Sequence, residues 1–370
     1  MLLNIAVLPG DGIGYEVTVE ALKALKAICD KYGHTLNYQE GLVGGAALDQ
    51  EGVPITDATL DMCKASDSIL FGAVGLPKYD NAPMEKRPEL ALFRLRKTFD
   101  LFANLRPVKN LPALQNASTL KPETLAGVDL VVVRELTGGL YFGQPSKRYT
   151  DEGGRKAVDT LPYSEQEIER IVRTAFELAK SRNGKKKVTS VDKANVLNTS
   201  RLWREVATEV GRDYPEIELE HMLVDATAMN LIRRPASFDV IVTENLFGDI
   251  LTDEASMLAG SMGLLASASL GSIKNPKGGQ YGMYEPIHGT APDITGQGIA
   301  NPLAAIGCAA MLLRLTYGLE TEAADLEAAI DAVLDAGYRT PDLYEPGLTK
   351  VGTTQMGDVV VKALTAKTLA

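Results

Sequence analysis

The chain has 370 residues, of which 45% are hydrophobic, 23% charged and 6% aromatic. At ~150 residues per domain this length predicts about two domains with buried cores, and the composition excludes a disordered, collagen-like or low-complexity protein. The formal charge of -10 gives no general attraction to nucleic acid or to an anionic membrane, so an anionic ligand would need a local basic cluster.

The cysteines and the apolar runs indicate a cellular compartment. Cys29, Cys63 and Cys308 are far apart and form no CxxC pair, which predicts buried thiols and argues against a disulfide framework or a zinc site. The apolar run at residues 2–8 is too short for a signal peptide, and no run approaches the ~18 apolar residues of a membrane helix. We therefore expect a cytoplasmic protein that binds neither membranes nor nucleic acid.

Short β-branched runs alternate with segments of helical periodicity, which predicts an α/β fold with buried parallel strands. In chain order, strands are expected at residues 3–8, 68–74, 130–133, 187–191 and 238–243. A capping box at Ser164 and Glu167 predicts a helix that ends by Gly184, and apolar residues at 326, 330, 333 and 334 predict another that ends at Gly337. The Gly- and Tyr-rich segment 138–162 is either a linker or an arm that packs on another element.

Two glycine-containing loops are candidates for close approach to a ligand. The turn GDGIG at residues 10–14 follows the first strand, but a Rossmann fingerprint that starts at Gly10 requires glycine where this chain has Tyr15. The turn is therefore either a ligand loop or a tight strand-to-helix connection. The segment EPIHGTAPD at residues 285–293 is either a second ligand loop or a surface turn.

Three arginines, Arg96, Arg106 and Arg134, occur in otherwise apolar settings. A guanidinium in such a setting needs a carboxylate, supplied either by a neighbouring acidic side chain or by a bound ligand. The spacing alone leaves both alternatives open.

Asp249 and Asp253 are four residues apart, which places both carboxylates on one face of a predicted helix, where like charges repel. A divalent cation would remove the repulsion, and oxygen ligands favour Mg²⁺ or Mn²⁺, with Asp225 as a third ligand. A solvated helix N-terminus is the alternative. Lys193 follows a strand in an apolar segment and is a candidate base, whereas Tyr141 is either a proton donor or an interface anchor.

Six motifs, taken together and in order, resemble those of the β-decarboxylating dehydrogenases; they lie at residues 10–14, 101–107, 132–143, 191–196, 245–256 and 285–302. They are most similar to the members that act on 3-isopropylmalate, and less to those acting on isocitrate, homoisocitrate, tartrate or D-malate. The resemblance implies an isocitrate/isopropylmalate dehydrogenase-like α/β fold that is not a Rossmann fold. It also implies two open domains: a discontinuous first domain of residues 1–101 and 262–370, on the NAD-binding side, and an inserted second domain of residues 102–261.

The same resemblance implies an NAD-dependent oxidative decarboxylation of 3-isopropylmalate to 4-methyl-2-oxopentanoate in leucine biosynthesis. The three arginines would hold the substrate carboxylates, Lys193 would accept the hydroxyl proton and Tyr141 would protonate the product. Mg²⁺ or Mn²⁺ would be bound by Asp249, Asp253 and Asp225. The protein would be a homodimer with shared sites, in which the arm at residues 138–162 joins its partner's arm and each chain supplies Lys193 and Asp225 to its neighbour.

For the side chain of the substrate, the resemblance implies a pocket formed by Glu89 and Leu92 together with the partner's Val196. An acid at Asp293 favours NAD over NADP. The residues expected on the cofactor side are Ile13, Glu285, His288, Gly289, Ala291, Asp293, Ile294 and Asn301.

Three positions depart from the family pattern: Tyr15 and Ala266 replace prolines, and Phe93 replaces a leucine. None of them removes a chemical group from the expected site. The alternatives are a D-malate, tartrate or homoisocitrate dehydrogenase with the same machinery, or a metal-dependent hydrolase without a nicotinamide cofactor.

Overall fold

The computed structural model describes residues 1–182 and 184–366. The α-helices of this part of the chain are α1 Ile13–Tyr32, α2 Gly44–Glu51, α3 Asp57–Ala65, α4 Leu90–Thr98, α5 Pro122–Leu125, α6 Glu165–Ser181, α7 Asn198–Gly211, α8 Val224–Arg233, α9 Asn245–Ser256, α10 Leu303–Tyr317, α11 Glu320–Asp335 and α12 Thr353–Thr365. The strands are β1 Leu2–Gly10, β2 Thr35–Glu40, β3 Ser68–Ala73, β4 Leu101–Lys109, β5 Asp129–Glu135, β6 Lys147–Asp151, β7 Gly154–Val158, β8 Lys187–Asp192, β9 Glu218–Leu223, β10 Val240–Thr243, β11 Ala266–Lys274, β12 Gln280–Pro286, β13 Tyr338–Arg339 and β14 Thr349–Lys350.

The mixed α/β architecture predicted from the sequence is confirmed. The five expected strands are β1, β3, β5, β8 and β10, and each of them has a parallel neighbour. The capping box that begins α6 is present, because the Ser164 amide donates to Glu167 Oε2 at 2.8 Å while the Glu167 amide donates to Ser164 Oγ at 3.3 Å. The C-terminal periodicity belongs to α11.

The chain divides into two compact units, of which the first consists of residues 1–101, 111–118 and 259–370. Its strands follow the order β2-β1-β3-β12-β11, with β12 parallel to β3 and antiparallel to β11. The core of this unit joins residues from both ends of the chain, since Phe71 and Leu95 pack in one cluster with Tyr281 and Met283. Distant segments of the sequence therefore share one hydrophobic core.

The second unit consists of residues 102–110 and 119–258. Its strands follow the order β4-β5-β10-β8-β9, and they are parallel except for the antiparallel pair β4 and β5. The segment expected to be a linker or an arm forms an antiparallel hairpin of β6 and β7, almost all of it exposed. The domain boundaries inferred from the resemblance remain a prediction.

The sequence predicts buried thiols, and the structure has them. All three cysteines are free and buried, and burial raises the pKa of the Cys63 thiol to about 12. Of the helices in residues 1–182 and 184–366, none is long and apolar enough to cross a membrane.

Candidate active site

Arg134 lies at the carboxyl end of β5, and its guanidinium contacts the first turns of α9. Nη1 donates to Asp249 Oδ1 at 2.5 Å, while Nε and Nη2 donate to Asn245 Oδ1 at 3.2 and 2.9 Å. Gly248 leaves room for this side chain, because a Cβ there would lie 2.5 Å from Arg134 Cγ. Arg134 is therefore a nearly buried cation whose orientation is fixed by hydrogen bonds.

Tyr141 ends the short 3₁₀ helix Gly139–Tyr141 and reaches the same aspartate. Its hydroxyl donates to Asp249 Oδ2 at 2.7 Å, and its ring centroid lies 5.9 Å from Arg134 Cζ. Partial burial raises the pKa of Tyr141 to about 12, and the hydrogen bond to the Asp249 carboxylate acts in the same direction. Tyr141 therefore keeps its proton at neutral pH, as a proton donor must.

Arg106, on β4, reaches the next turn of α9. Its Nη1 donates to Thr252 Oγ1 at 2.9 Å and lies 3.8 Å from Asp253 Oδ1, and its Nε donates to Asn104 Oδ1 at 2.8 Å. Two of the three predicted arginines thus lie along the helix that carries both predicted aspartates.

Asp249 and Asp253 lie one turn apart on α9, as the spacing predicts. Carboxylate oxygens are the ligands that Mg²⁺ and Mn²⁺ prefer, and both side chains are accessible, at 41% and 78% exposure, so the donor chemistry fits a hard cation. In this chain Arg134 and Arg106 offset the charge of the two carboxylates. Within the described residues, no three His, Cys, Asp or Glu side chains come together as a ligand group.

Lys193 follows β8 and pairs with Asp225 in the first turn of α8. The Lys193 Nζ lies 2.6 Å from Asp225 Oδ1, and this contact holds the pKa of Asp225 below its usual range. Lys193 therefore lies beside a carboxylate, and the expectation of apolar surroundings is wrong for this chain. Val196, in the same loop, is 61% exposed.

The loop that carries Lys193 is held by buried polar contacts that the sequence did not suggest. The Asp192 carboxylate accepts Nε and Nη2 of Arg204, both at 2.8 Å, and also accepts the Ala194 amide at 2.9 Å. The Lys193 amide itself donates to Ser200 Oγ at 3.0 Å. These contacts fix the backbone on both sides of Lys193.

In the first unit, Arg96 lies on α4 and its Nη2 donates to Glu285 Oε1 on β12 at 3.4 Å. The sequence left open whether Arg96 pairs with an acidic side chain or with a ligand. In the structure its partner is the side chain of Glu285, in the same unit. Leu92 packs on the hydrophobic core of this unit, whereas Glu89 is exposed immediately before α4.

The GDGIG turn lies where the backbone approaches the loop after β12. Gly10 and Gly12 have φ values of 73° and 58°, and a side chain at Gly12 would overlap the Thr290 carbonyl. The Ile13 amide donates to that carbonyl at 2.9 Å. The buried Asp11 carboxylate accepts three backbone amides at 2.8 to 2.9 Å, from Gly45, Ala46 and Gly75.

The remaining expected cofactor residues all belong to the loop after β12 and its continuation toward α10. His288 is partly buried, and burial lowers the pKa of its imidazole. Asn301 is buried and donates from Nδ2 to Asp342 Oδ2 at 3.1 Å. The other members lie on this loop with partly or fully exposed side chains or backbone: Gly289, Ala291, Asp293 and Ile294.

The three departures from the family pattern leave these contacts in place. Tyr15 is 58% exposed and α1 still begins at Ile13, so the lost proline does not delay the helix. Phe93 is 42% exposed on α4, and Ala266 is buried at the start of β11.

Comparison with known proteins agrees with this fold. Residues 4–360 match the family described as isocitrate/isopropylmalate dehydrogenase, and the chain belongs to that family. It is an enzyme of the β-decarboxylating dehydrogenase class.

Two curated relatives, each 57% identical to the chain, carry the same name. The chain is 57% identical over 365 residues to the 3-isopropylmalate dehydrogenase of Dehalococcoides mccartyi strain CBDB1, covering 98% of this chain and 100% of the relative. It is 57% identical over 363 residues to the enzyme of the same name from Halalkalibacterium halodurans, covering 98% of each.

Solved structures share the fold over nearly the whole chain. Isocitrate dehydrogenase from Methylococcus capsulatus matches with a TM-score of 0.84 at 34% identity, covering 98% of this chain and 99% of that one. A β-decarboxylating dehydrogenase from Thermococcus kodakarensis matches with a TM-score of 0.79 at 33% identity, covering 98% and 96%.

Proposed function

We propose that this enzyme oxidises 3-isopropylmalate with NAD and releases CO₂ to give 4-methyl-2-oxopentanoate, a step of leucine biosynthesis. The observation that carries the proposal is the convergence of Arg134 and Tyr141 on Asp249, in a chain 57% identical to curated 3-isopropylmalate dehydrogenases over its length. This cluster joins a carboxylate-binding cation, a protonated phenol and a cation-binding carboxylate.

The arginines bind the substrate. Arg134 and Arg106 lie along α9, where guanidinium groups can hold substrate carboxylates in paired hydrogen bonds. Arg96 supplies a third guanidinium from the first unit. Arg134 and Arg106 supply the local basic groups that a chain with a formal charge of -10 needs to hold an anionic ligand.

Two residues carry the protons. Lys193 accepts the proton of the substrate hydroxyl, directly or through a water molecule; bound NAD would supply the hydride acceptor for the oxidation. Once CO₂ has left, Tyr141 donates its proton to the carbon that carried the lost carboxyl group. The raised pKa of Tyr141 keeps that proton available at neutral pH.

Asp249 and Asp253, with Asp225, would hold Mg²⁺ or Mn²⁺. When bound, the cation supplies Lewis-acid stabilisation of the negative charge that develops on the substrate oxygen. The chain's own contribution is two accessible carboxylates on one helix face, with Asp249 oriented by Arg134 and Tyr141.

The cofactor residues are proposed from the loops of the first unit. NAD would contact Ile13, Glu285 near the end of β12, and residues of the loop that follows: His288, Gly289, Ala291, Asp293, Ile294 and Asn301. The exposed Asp293 favours NAD, because a carboxylate accepts a ribose hydroxyl and repels the phosphate of NADP.

The substrate's side chain would contact Glu89 and Leu92 of one chain and the partner's Val196. Leu92 and Val196 offer apolar surface to an isopropyl group. Such contacts discriminate by only about 1–3 kcal/mol per methylene, so related diacids are the relevant competitors.

A substrate panel tests the proposal. With NAD and Mn²⁺, we expect kcat/KM for 3-isopropylmalate to exceed that for D-malate, tartrate, isocitrate and homoisocitrate by at least about tenfold. The measurement is the rate of NADH formation. A higher value for another diacid would identify a different member of the family, and no NADH formation with any of them would favour the hydrolase alternative.

We further propose that the active form is a homodimer in which Lys193 and Asp225 act in the partner's site. Their direct contact in one chain supports a common role. An inactive Lys193→Ala protein mixed with an inactive Arg106→Ala protein under subunit exchange should then contain one intact site per heterodimer. An equal mixture is expected to recover about a quarter of wild-type activity, for random pairing of a two-fold dimer.

The control mixture pairs Lys193→Ala with Asp225→Asn. Lys193 and Asp225 are both supplied by the same chain to its partner's site. Every site of that heterodimer therefore lacks either the lysine or the aspartate, and activity should stay low. Recovery in the control, or none in verified heterodimers of the first mixture, would contradict shared sites.

A further inference from the structure

A buried polar cluster connects the three elements that carry Arg134, Tyr141 and Asp249. Glu135 follows Arg134 on β5 and is fully buried. Its Oε1 accepts the amide and the hydroxyl of Thr137 at 2.9 and 2.6 Å, and its Oε2 accepts the Gly138 amide at 2.8 Å. This carboxylate therefore fixes the start of the loop that leads to Tyr141.

Tyr163 links this loop to α9. Its hydroxyl donates to Glu135 Oε2 at 3.2 Å and accepts the Asn245 amide at 3.0 Å. Its ring packs edge-on against Trp203, with centroids 5.8 Å apart. One hydroxyl thus joins the carboxyl end of β5 to the first residue of the helix that carries Asp249.

Asn245 completes the connection with its side chain. Its Oδ1 accepts two hydrogen bonds from Arg134, and its Nδ2 donates to the Gly138 carbonyl at 3.0 Å. Asn245 is 1% exposed, so water cannot replace these partners. The orientation of Arg134 and the position of the Tyr141 loop are therefore coupled through one amide.

We infer that Tyr163 and Asn245 are positioning residues, which hold Tyr141 and Arg134 against Asp249 in the geometry the reaction needs. The inference rests on the proposed function for its kinetic consequence. The Tyr163 hydroxyl bonds to Glu135 and to the Asn245 amide, and the Asn245 carboxamide bonds to Arg134. Both residues would therefore act on the reaction through the groups that they hold in place. A displacement of about 1 Å in a positioned group can cost a large factor in rate.

The test is Tyr163→Phe, which removes one hydroxyl and keeps the ring on Trp203. We expect kcat to fall by about tenfold, with KM for 3-isopropylmalate changed by less than about threefold, because Arg134 keeps both bonds to Asn245 Oδ1. Asn245→Ala removes those acceptors, so it should raise KM as well as lower kcat. If Tyr163 had only a structural role, Tyr163→Phe would lower Tm without a fall in kcat that is larger than the change in KM.

The matched control is Tyr214→Phe. Tyr214 is a buried tyrosine of the same unit whose hydroxyl donates to Glu177 Oε1 at 2.8 Å, and its ring stacks on Phe176 at 4.8 Å. Its substitution should cost comparable stability and leave kcat within twofold of wild type. A Tyr163→Phe enzyme with kcat in that same range would overturn the inference.

A second measurement does not depend on turnover. Hydrogen exchange followed by mass spectrometry should show at least about tenfold faster exchange in residues 138–142 and 245–249 of Tyr163→Phe, and not of Tyr214→Phe. Unchanged exchange in both segments would overturn the inference. If the wild-type enzyme forms no NADH with any diacid, the proposed function fails while this measurement still decides the positioning role.

Discussion

Replacing Lys193 by alanine is expected to lower kcat by about 10³-fold, because a positioned general base contributes roughly 10²–10⁴-fold to a rate. Stability should change little, since the Asp225 carboxylate that loses its partner is 60% exposed and remains hydrated. The measurement is steady-state NADH formation with 3-isopropylmalate, alongside thermal unfolding of the same samples.

The control for this substitution is Lys180→Ala. Lys180 lies on α6, is 55% exposed and is 3.9 Å from Glu216, so its loss removes the same charge without touching the site. Small primary amines added to the Lys193→Ala enzyme should restore part of the rate, because they can accept the proton in place of the missing side chain. Retention of more than about a tenth of wild-type kcat would exclude Lys193 as the base.

Asp249→Asn is expected to lower kcat/KM by about 10²–10³-fold and to weaken Mn²⁺ binding by at least tenfold, since removal of a charged ligand affects every step that needs the cation. It should also lower Tm. The nearly buried Arg134 then loses its ion pair with Asp249 and donates to a neutral amide instead. Mn²⁺ binding is measured from the electron paramagnetic resonance signal of the free ion.

Asp253→Asn separates the loss of Mn²⁺ binding from the loss of stability. Asp253 is 78% exposed and its nearest arginine nitrogen is 3.8 Å away, so its loss should weaken Mn²⁺ binding while Tm stays near wild type. Wild-type Mn²⁺ affinity in Asp249→Asn would show that α9 does not hold the cation, and the proposed roles of both aspartates would then be wrong.

Strand prediction succeeded where burial on both faces produces an unbroken apolar run. The residues of β3 and β10 are buried along their whole length, and their sequences are correspondingly apolar and β-branched. The edge strand β2 is mostly exposed and its sequence is largely polar. Strand β11 is mostly buried, but its sequence begins with the small residues ASAS. Neither pattern is distinctive without knowledge of the neighbouring elements.

The candidate site was predictable to the extent that its chemistry depends on local spacing. The separation of Asp249 and Asp253 determines that they share a helix face, and both indeed lie on α9. The contact between Arg134 and Asp249 joins residues 115 apart in sequence, and no periodicity encodes it. The spacing of the two carboxylates predicts either a bound cation or a solvated helix N-terminus, whereas the fold also supplies arginines that offset their charge.

Tyr163 and Asn245 show most clearly why the rest was missed. Tyr163 precedes the capping serine of α6 and contacts an amide 82 positions away. A lone tyrosine before a helix, or an asparagine within the first turn of one, matches too many ordinary positions to indicate a buried network. In the sequence Asp11 is only one residue of a turn, although its carboxylate accepts amides from the first turn of α2 and from the loop after β3.

The discontinuous first unit has a consequence for synthesis of the protein on the ribosome. The core around Phe71 needs Tyr281 and Met283, so the amino-terminal hundred or so residues emerge long before their packing partners exist. The second unit is nearly continuous and can complete its own core while the remainder is still being translated. Until then the nascent amino-terminal segment exposes apolar surface, and truncations shortly after β10 should leave aggregation-prone chains that depend on chaperones.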